Sequence, residues 1–131
     1  ASALLEQFSL AAWGDELVEA YSHGMKQRLI IAAALLHDPQ VLIVDEPMVG
    51  LDPGGIKMVK DLFRDLAARG TTVFMSTHTL QVAEDVCHRI GIIHRGRLIA
   101  LGTTGELQGT AGAGEIDLES VFLILTAEEA K

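Results

Sequence analysis

Cysteine is nearly absent from this chain. Cys87 stands alone among 131 residues, so no internal disulfide can form, and a reducing compartment is expected. Its plain reading is a small buried hydrophobe in a helix. Basic residues are also few: 10 Lys and Arg face 18 Asp and Glu, for a formal net charge of −8. That balance excludes a broad electrostatic footprint for nucleic acid. An anionic ligand would have to be held by local devices such as helix N-termini, a metal ion or a few placed donors. No apolar run is long. The longest, residues 29–36, falls far short of the roughly 20 residues a membrane-crossing helix takes. The first residues, Ala1-Ser2-Ala3-Leu4-Leu5-Glu6, show no basic segment ahead of an apolar one, so no secretory signal is visible. Any membrane contact is expected to go through a partner.

What is present is ordinary globular composition, 49% hydrophobic and 21% charged, enough for one domain or a large piece of one. Residues 3–21 carry a helical pattern broken near Trp13-Gly14-Asp15. Ser22 stands at an N-cap position ahead of residues 25–36, which are apolar nearly all round at the far end and are expected to be buried. Asp38-Pro39 stops that helix. Residues 41–44, Val-Leu-Ile-Val, then run into Asp45-Glu46-Pro47, which suits a central parallel strand covered on both faces.

Asp52 and Pro53 read as the N-cap and first position of a second helix. Val59, Leu62, Phe63 and Leu66 line its dry side, Lys57, Lys60, Asp61, Arg64 and Asp65 its wet side, and Gly70 closes it. Residues 71–75 form a second strand ending in Ser76-Thr77-His78, and residues 80–88 another helix. Residues 89–93 and 97–101 flank a hairpin signal at His94-Arg95-Gly96. The fold class is therefore α/β: a parallel sheet with flanking helices, then a β-hairpin and a helical tail. Residues 109–114 read as a flexible linker, so the chain divides into residues 1–108 and a tail of residues 109–131, with a helix expected over residues 118–126.

Ligands of open α/β sheets bind beyond the carboxyl ends of the strands. Two strands here end in polar clusters, Asp45-Glu46 and Ser76-Thr77-His78. Adjacent carboxylates on an extended chain point to opposite sides, so Asp45 can serve Mg²⁺ while Glu46 positions or deprotonates a water. A neighbouring histidine can donate to a phosphate oxygen. This pattern suits phosphoryl transfer. Each piece also has a plainer reading: Ser22 and Asp52 as helix caps, His78 as a structural histidine.

The order of the pieces carries more than any one of them. Tyr21-Ser22-His23-Gly24-Met25-Lys26-Gln27-Arg28, then the strand ending in Asp45-Glu46-Pro47, then Gly50-Leu51-Asp52-Pro53, then Ser76-Thr77-His78 closely resembles the signature motif, Walker B strand, D-loop and H-loop of ABC ATPases. The resemblance covers about residues 1–108. The Tyr-Ser-His-Gly-Met signature, the His94-Arg95-Gly96-Arg97-Leu98 hairpin and Leu118-Glu119-Ser120-Val121-Phe122 are similar to the bacterial ABC-2-type exporter branch.

The resemblance implies a P-loop NTPase-like fold that binds ATP and Mg²⁺. It implies that Asp45 holds Mg²⁺ through water, Glu46 is the general base, and His78 contacts the γ-phosphate in its own subunit. Ser22, His23, Gly24 and Met25 would reach ATP bound to a partner subunit, and Asp52 would lie at the dimer seam. The implied partners are a second ABC ATPase domain and an integral-membrane permease. The implied location is cytoplasmic, on the inner face of the cell membrane.

His23 departs from the common signature, which has its first glycine there, and Met25 stands where glutamine is usual. No G-x-x-x-x-G-K-[ST] loop occurs in the 131 residues, so the chain alone is expected to be inactive as an ATPase. Two other readings remain: a soluble ABC ATPase without a transport role, and a non-catalytic or split-enzyme interaction module.

Overall fold

A computed structural model describes residues 1–112 and 114–128. By packing they form two compact units, residues 1–76 and residues 77 onward.

In the first unit, helix α1 (Ser2–Gln7) and two short 3-10 turns (Ala11–Trp13 and Val18–Ala20) lead into helix α2 (His23–Ala34). Side chains pin this leading segment to its neighbours. The Tyr21 hydroxyl donates to the Trp13 carbonyl at 2.7 Å, and Arg28 Nη1 donates to the Phe8 carbonyl at 3.1 Å. Phe8 and Leu10 are buried beneath them.

α2 starts where Ser22 requires it: the Ser22 backbone is extended and its Oγ accepts from the Met25 N–H at 3.2 Å. Its far end is not buried all round, contrary to the sequence expectation. Ile31 and Ala32 are buried, while Ile30 and Leu36 lie exposed. Among the described residues α1 packs against one side of α2, and its other apolar side has no cover.

Strand β1 (Val41–Asp45) pairs in parallel with strand β2 (Thr72–Ser76), Asp45 standing opposite Ser76. Helix α3 (Pro53–Ala68) crosses between them and packs on β2. It begins as read, with Asp52 Oδ1 accepting from the Gly55 N–H at 3.0 Å and Pro53 in the first turn. Val59, Leu62, Phe63 and Leu66 are all buried. On the wet side, Lys57 Nζ donates to Asp61 at 2.6 Å and Arg64 to the same carboxylate at 3.2 Å. The Lys57 hydrogen bond, ahead of the two cations' charges, holds the Asp61 carboxyl below its ordinary range.

The two-strand sheet is covered on one face only. Leu42 is buried on the α3 side, but Ile43 is 73% exposed and its register partner Phe74 66%. A parallel sheet ordinarily has both faces covered. This one departs from the expectation for residues 41–44 because none of the described residues lies over its second face.

The second unit holds helix α4 (Leu80–Val86), strands β3 (Ile90–His94) and β4 (Arg97–Gly102), helix α5 (Thr104–Thr110) and helix α6 (Leu118–Glu128). β3 and β4 form the expected antiparallel hairpin through Arg95 and Gly96, both with positive φ. Such a two-residue turn matches the right-handed twist of the strands. Residues 109–110, read as linker, instead complete α5. A capping box holds its start, Thr103 Oγ1 accepting from the Glu106 N–H at 3.2 Å while Glu106 accepts from the Thr103 N–H at 2.8 Å. α6 supplies Leu118, Val121 and Leu125 to a core shared with Ala83, Ile90, Ile92 and Leu107.

Candidate functional site

β1 ends at Asp45, and the Ser76 hydroxyl across the ladder donates to Asp45 Oδ1. The Asp45 carboxylate itself is exposed. Glu46 then leaves the strand: its φ is +46°, the left-handed region that a non-glycine residue occupies at a cost of roughly 1–3 kcal/mol. The alternation argument for carboxylates on opposite sides therefore does not apply, because Glu46 is not in extended conformation.

Both backbone polar groups of Glu46 are engaged. Its N–H donates to the Ser76 carbonyl at 2.9 Å, continuing the parallel ladder. Its carbonyl accepts from the Val49 N–H at 3.2 Å and from Gln27 Nε2 at 3.4 Å. Pro47 and Met48 are buried and anchor the turn that follows. The chain bends again at Gly50, with φ +78°, before Asp52 caps α3.

The first turn of α2 sits on this bend. A side-chain carbon added at Gly50 would overlap the His23 ring, standing 2.8 Å from Nε2. One added at Gly24 would come within 3.1 Å of the Gly50 carbonyl and 3.5 Å of Leu51. Ser22, His23, Gly24, Met25, Asp45, Glu46 and Asp52 thus all belong to the first unit, with the α2 start packed on the turn between Glu46 and Asp52. His78 lies just past β2, exposed, in the second unit.

The donor set suits a phosphate-bound cation better than a closed metal site. Among the described residues no group of three or more His, Cys, Asp or Glu side chains gathers to hold a metal. Mg²⁺ typically takes one or two carboxylates and completes its shell with water and substrate phosphates. Asp45, exposed and oriented by Ser76, meets that need. The first N–H groups of α2 have no intrahelical partner, and the helix dipole adds positive potential there.

Three participants were not picked out from the sequence. Gln27 lies within the signature stretch, but no local signal ties it to Glu46. In the sequence Gly50 stands only as part of a helix start, although a glycine two residues before an N-cap is a fair sign of a positive-φ bend. Ser76 belongs to a strand-end cluster in the sequence, and only the register pairs it with Asp45.

A family model described as ABC transporter matches residues 1–49. The daunorubicin resistance ATP-binding protein DrrA3 of Streptomyces coeruleorubidus is 45% identical over 118 residues, covering 90% of this chain and 37% of that protein. The Nod factor export ATP-binding protein I of Paraburkholderia xenovorans is 45% identical over 104 residues, covering 79% of this chain and 34% of that one. A solved ATP-binding subunit of an ABC transporter superposes with a TM-score of 0.89 at 34% identity, over 95% of this chain and 52% of that structure. The ATP-binding cassette MJ1267 in its ADP conformation gives 0.68 at 26% identity, over 80% of this chain and 41% of that structure. The chain spans about a third of the length of the curated relatives it matches. Its motifs, its fold and these likenesses together make it a member of the ABC transporter ATP-binding family.

Proposed function

We propose that the protein to which this chain belongs is the ATP-hydrolysing subunit of an ABC exporter, and that the Asp45–Glu46 turn is its hydrolytic centre. One observation carries the reading: Glu46 is held in a strained, doubly anchored backbone conformation directly after an Asp oriented by Ser76. Strain of this kind persists where the surroundings over-determine it, and it concentrates at active sites.

In this reading Asp45 holds Mg²⁺ through water, and the ion neutralises charge on the phosphates of ATP. Glu46 orients the attacking water and takes its proton. The α2 start, with Ser22, His23, Gly24 and Met25, offers N–H donors and a positive dipole end to ATP bound by a second copy. Asp52 lies at the seam between copies, and His78 contacts the γ-phosphate.

The exporter assignment rests on relatives whose names specify drug resistance and Nod factor export. No helix among the described residues is long and apolar enough to cross a membrane. In the proposed function the transport path belongs to a permease partner, with this subunit on its cytoplasmic side. In the proposed complete protein, the bare face of β1–β2, with Ile43 and Phe74 exposed, packs against the part of the domain that carries the phosphate-binding loop.

The test is Glu46→Gln in the complete protein. Steady ATP hydrolysis is expected to stop while nucleotide binding persists, and normal turnover would refute the assignment.

A further inference from the structure

His23 and Gln27 stand four residues apart on α2 and so share one face of the helix. That face addresses both ends of a single bend. His23 lies over Gly50 at its far end, and Gln27 Nε2 donates to the Glu46 carbonyl at its near end, 3.4 Å away. Gly24, one turn before Gln27, closes on the Gly50 carbonyl between them. The carbonyl of Glu46 also accepts from the Val49 N–H at 3.2 Å, a bond that lies within the bend itself. Gln27 thus ties the left-handed peptide at Glu46 directly to α2, from outside the bend and the strand pair.

We propose that Gln27 is a positioning residue for Glu46. It transmits the placement of the α2 first turn to the backbone that aims the Glu46 carboxylate. Whatever shifts that turn, including an anion engaging its N–H groups, shifts the Glu46 carbonyl with it. The inference rests on the hydrolytic reading of Glu46, and the experiment separates the two.

The complete protein is assayed as Gln27→Met, Gln27→Lys and Glu46→Gln. Methionine keeps the length and flexibility of the side chain but donates no hydrogen bond, whereas lysine keeps a donor. Misplacing a reacting group by about 1 Å costs on the order of a hundredfold, and the bend retains its Val49 bond. Q27M is therefore expected to lower kcat about tenfold, with KM for ATP and nucleotide affinity unchanged and Q27K restoring most of the rate. If Q27M does not fold, Q27E carries the same expectation, since an ionised carboxylate of the same shape only accepts.

Wild-type turnover in Q27M alongside an inactive E46Q would overturn the positioning role and leave the hydrolytic centre standing. So would a joint loss of binding and turnover that lysine does not rescue, which marks a purely structural residue. An active E46Q would remove the hydrolytic reading and this inference with it.

Discussion

The imidazole of His23 occupies the space that a side chain at Gly50 would need. His23, like Met25, is a residue at which the signature departs from its common form, and Gly50 begins the stretch that leads to Asp52. The departure therefore has a local counterpart: a ring at one position is accommodated by the absence of a Cβ at the other.

Gly50→Ala is expected to destabilise the complete protein by about 1–2 kcal/mol, since Gly50 has φ +78° and an L-residue is strained there. The substitution must also displace the His23 ring. In a His23→Ala background the second penalty vanishes and the first remains. Urea unfolding of the two single variants and the double variant is expected to give a smaller cost for Gly50→Ala without the ring, a coupling on the order of 0.5 kcal/mol or more. Equal costs in both backgrounds would show that the ring and the bend are independent.

What could be read in the sequence was local. Ser22 and Asp52 announce themselves as caps because a cap is a relation among four consecutive residues, and both bond as expected, to the N–H groups of Met25 and Gly55. The run ending in Asp45 announces a strand for the same reason. The α5 helix is equally legible in Thr103 and Glu106, a capping box three residues apart that the sequence expectation leaves unused. Relations across the chain left no such trace. Nothing local marks Glu46 as left-handed, since glutamate ordinarily avoids that region. The bond from Gln27 to a residue 19 positions away depends on how α2 packs on the bend. The open face of β1–β2 and the exposed Ile30 and Leu36 escaped for a related reason: an apolar pattern reports what a segment needs covered, not which residues are there to cover it.

The tail helix gives a second expected outcome. Leu118 is fully buried, with Val121 and Leu125 beside it, whereas Leu123 on the same helix is 60% exposed. Leu118→Ala is expected to cost about 3 kcal/mol in urea unfolding of the complete protein. Leu123→Ala is expected to stay within about 0.5 kcal/mol of the parent. Similar small effects from both would mean that α6 does not contribute to the core.

Cys87 is half-buried, and that burial pushes its thiol pKa up. Less of it is thiolate near neutral pH than in an unfolded chain, and the thiolate is the reactive form. Alkylation by iodoacetamide is expected to be slow in the folded protein and to accelerate on unfolding. Because the folded-state pKa is the higher one, the neutral thiol's contribution to stability is complete below the unfolded pKa and fades as pH rises through the folded value. Alkylation at the unfolded rate without denaturant would contradict the burial.

In the proposed function the Asp45–Glu46 turn hydrolyses ATP while the start of α2 reads ATP bound to a second copy. Light scattering on the complete protein carrying Glu46→Gln, with and without Mg-ATP, tests both halves at once. The expected result is that Mg-ATP is not consumed and doubles the mass, and that adding Ser22→Arg, which crowds the α2 start, returns the mass to one copy while binding persists. A protein that binds Mg-ATP yet keeps a single copy's mass, or a doubling indifferent to Ser22→Arg, would contradict it.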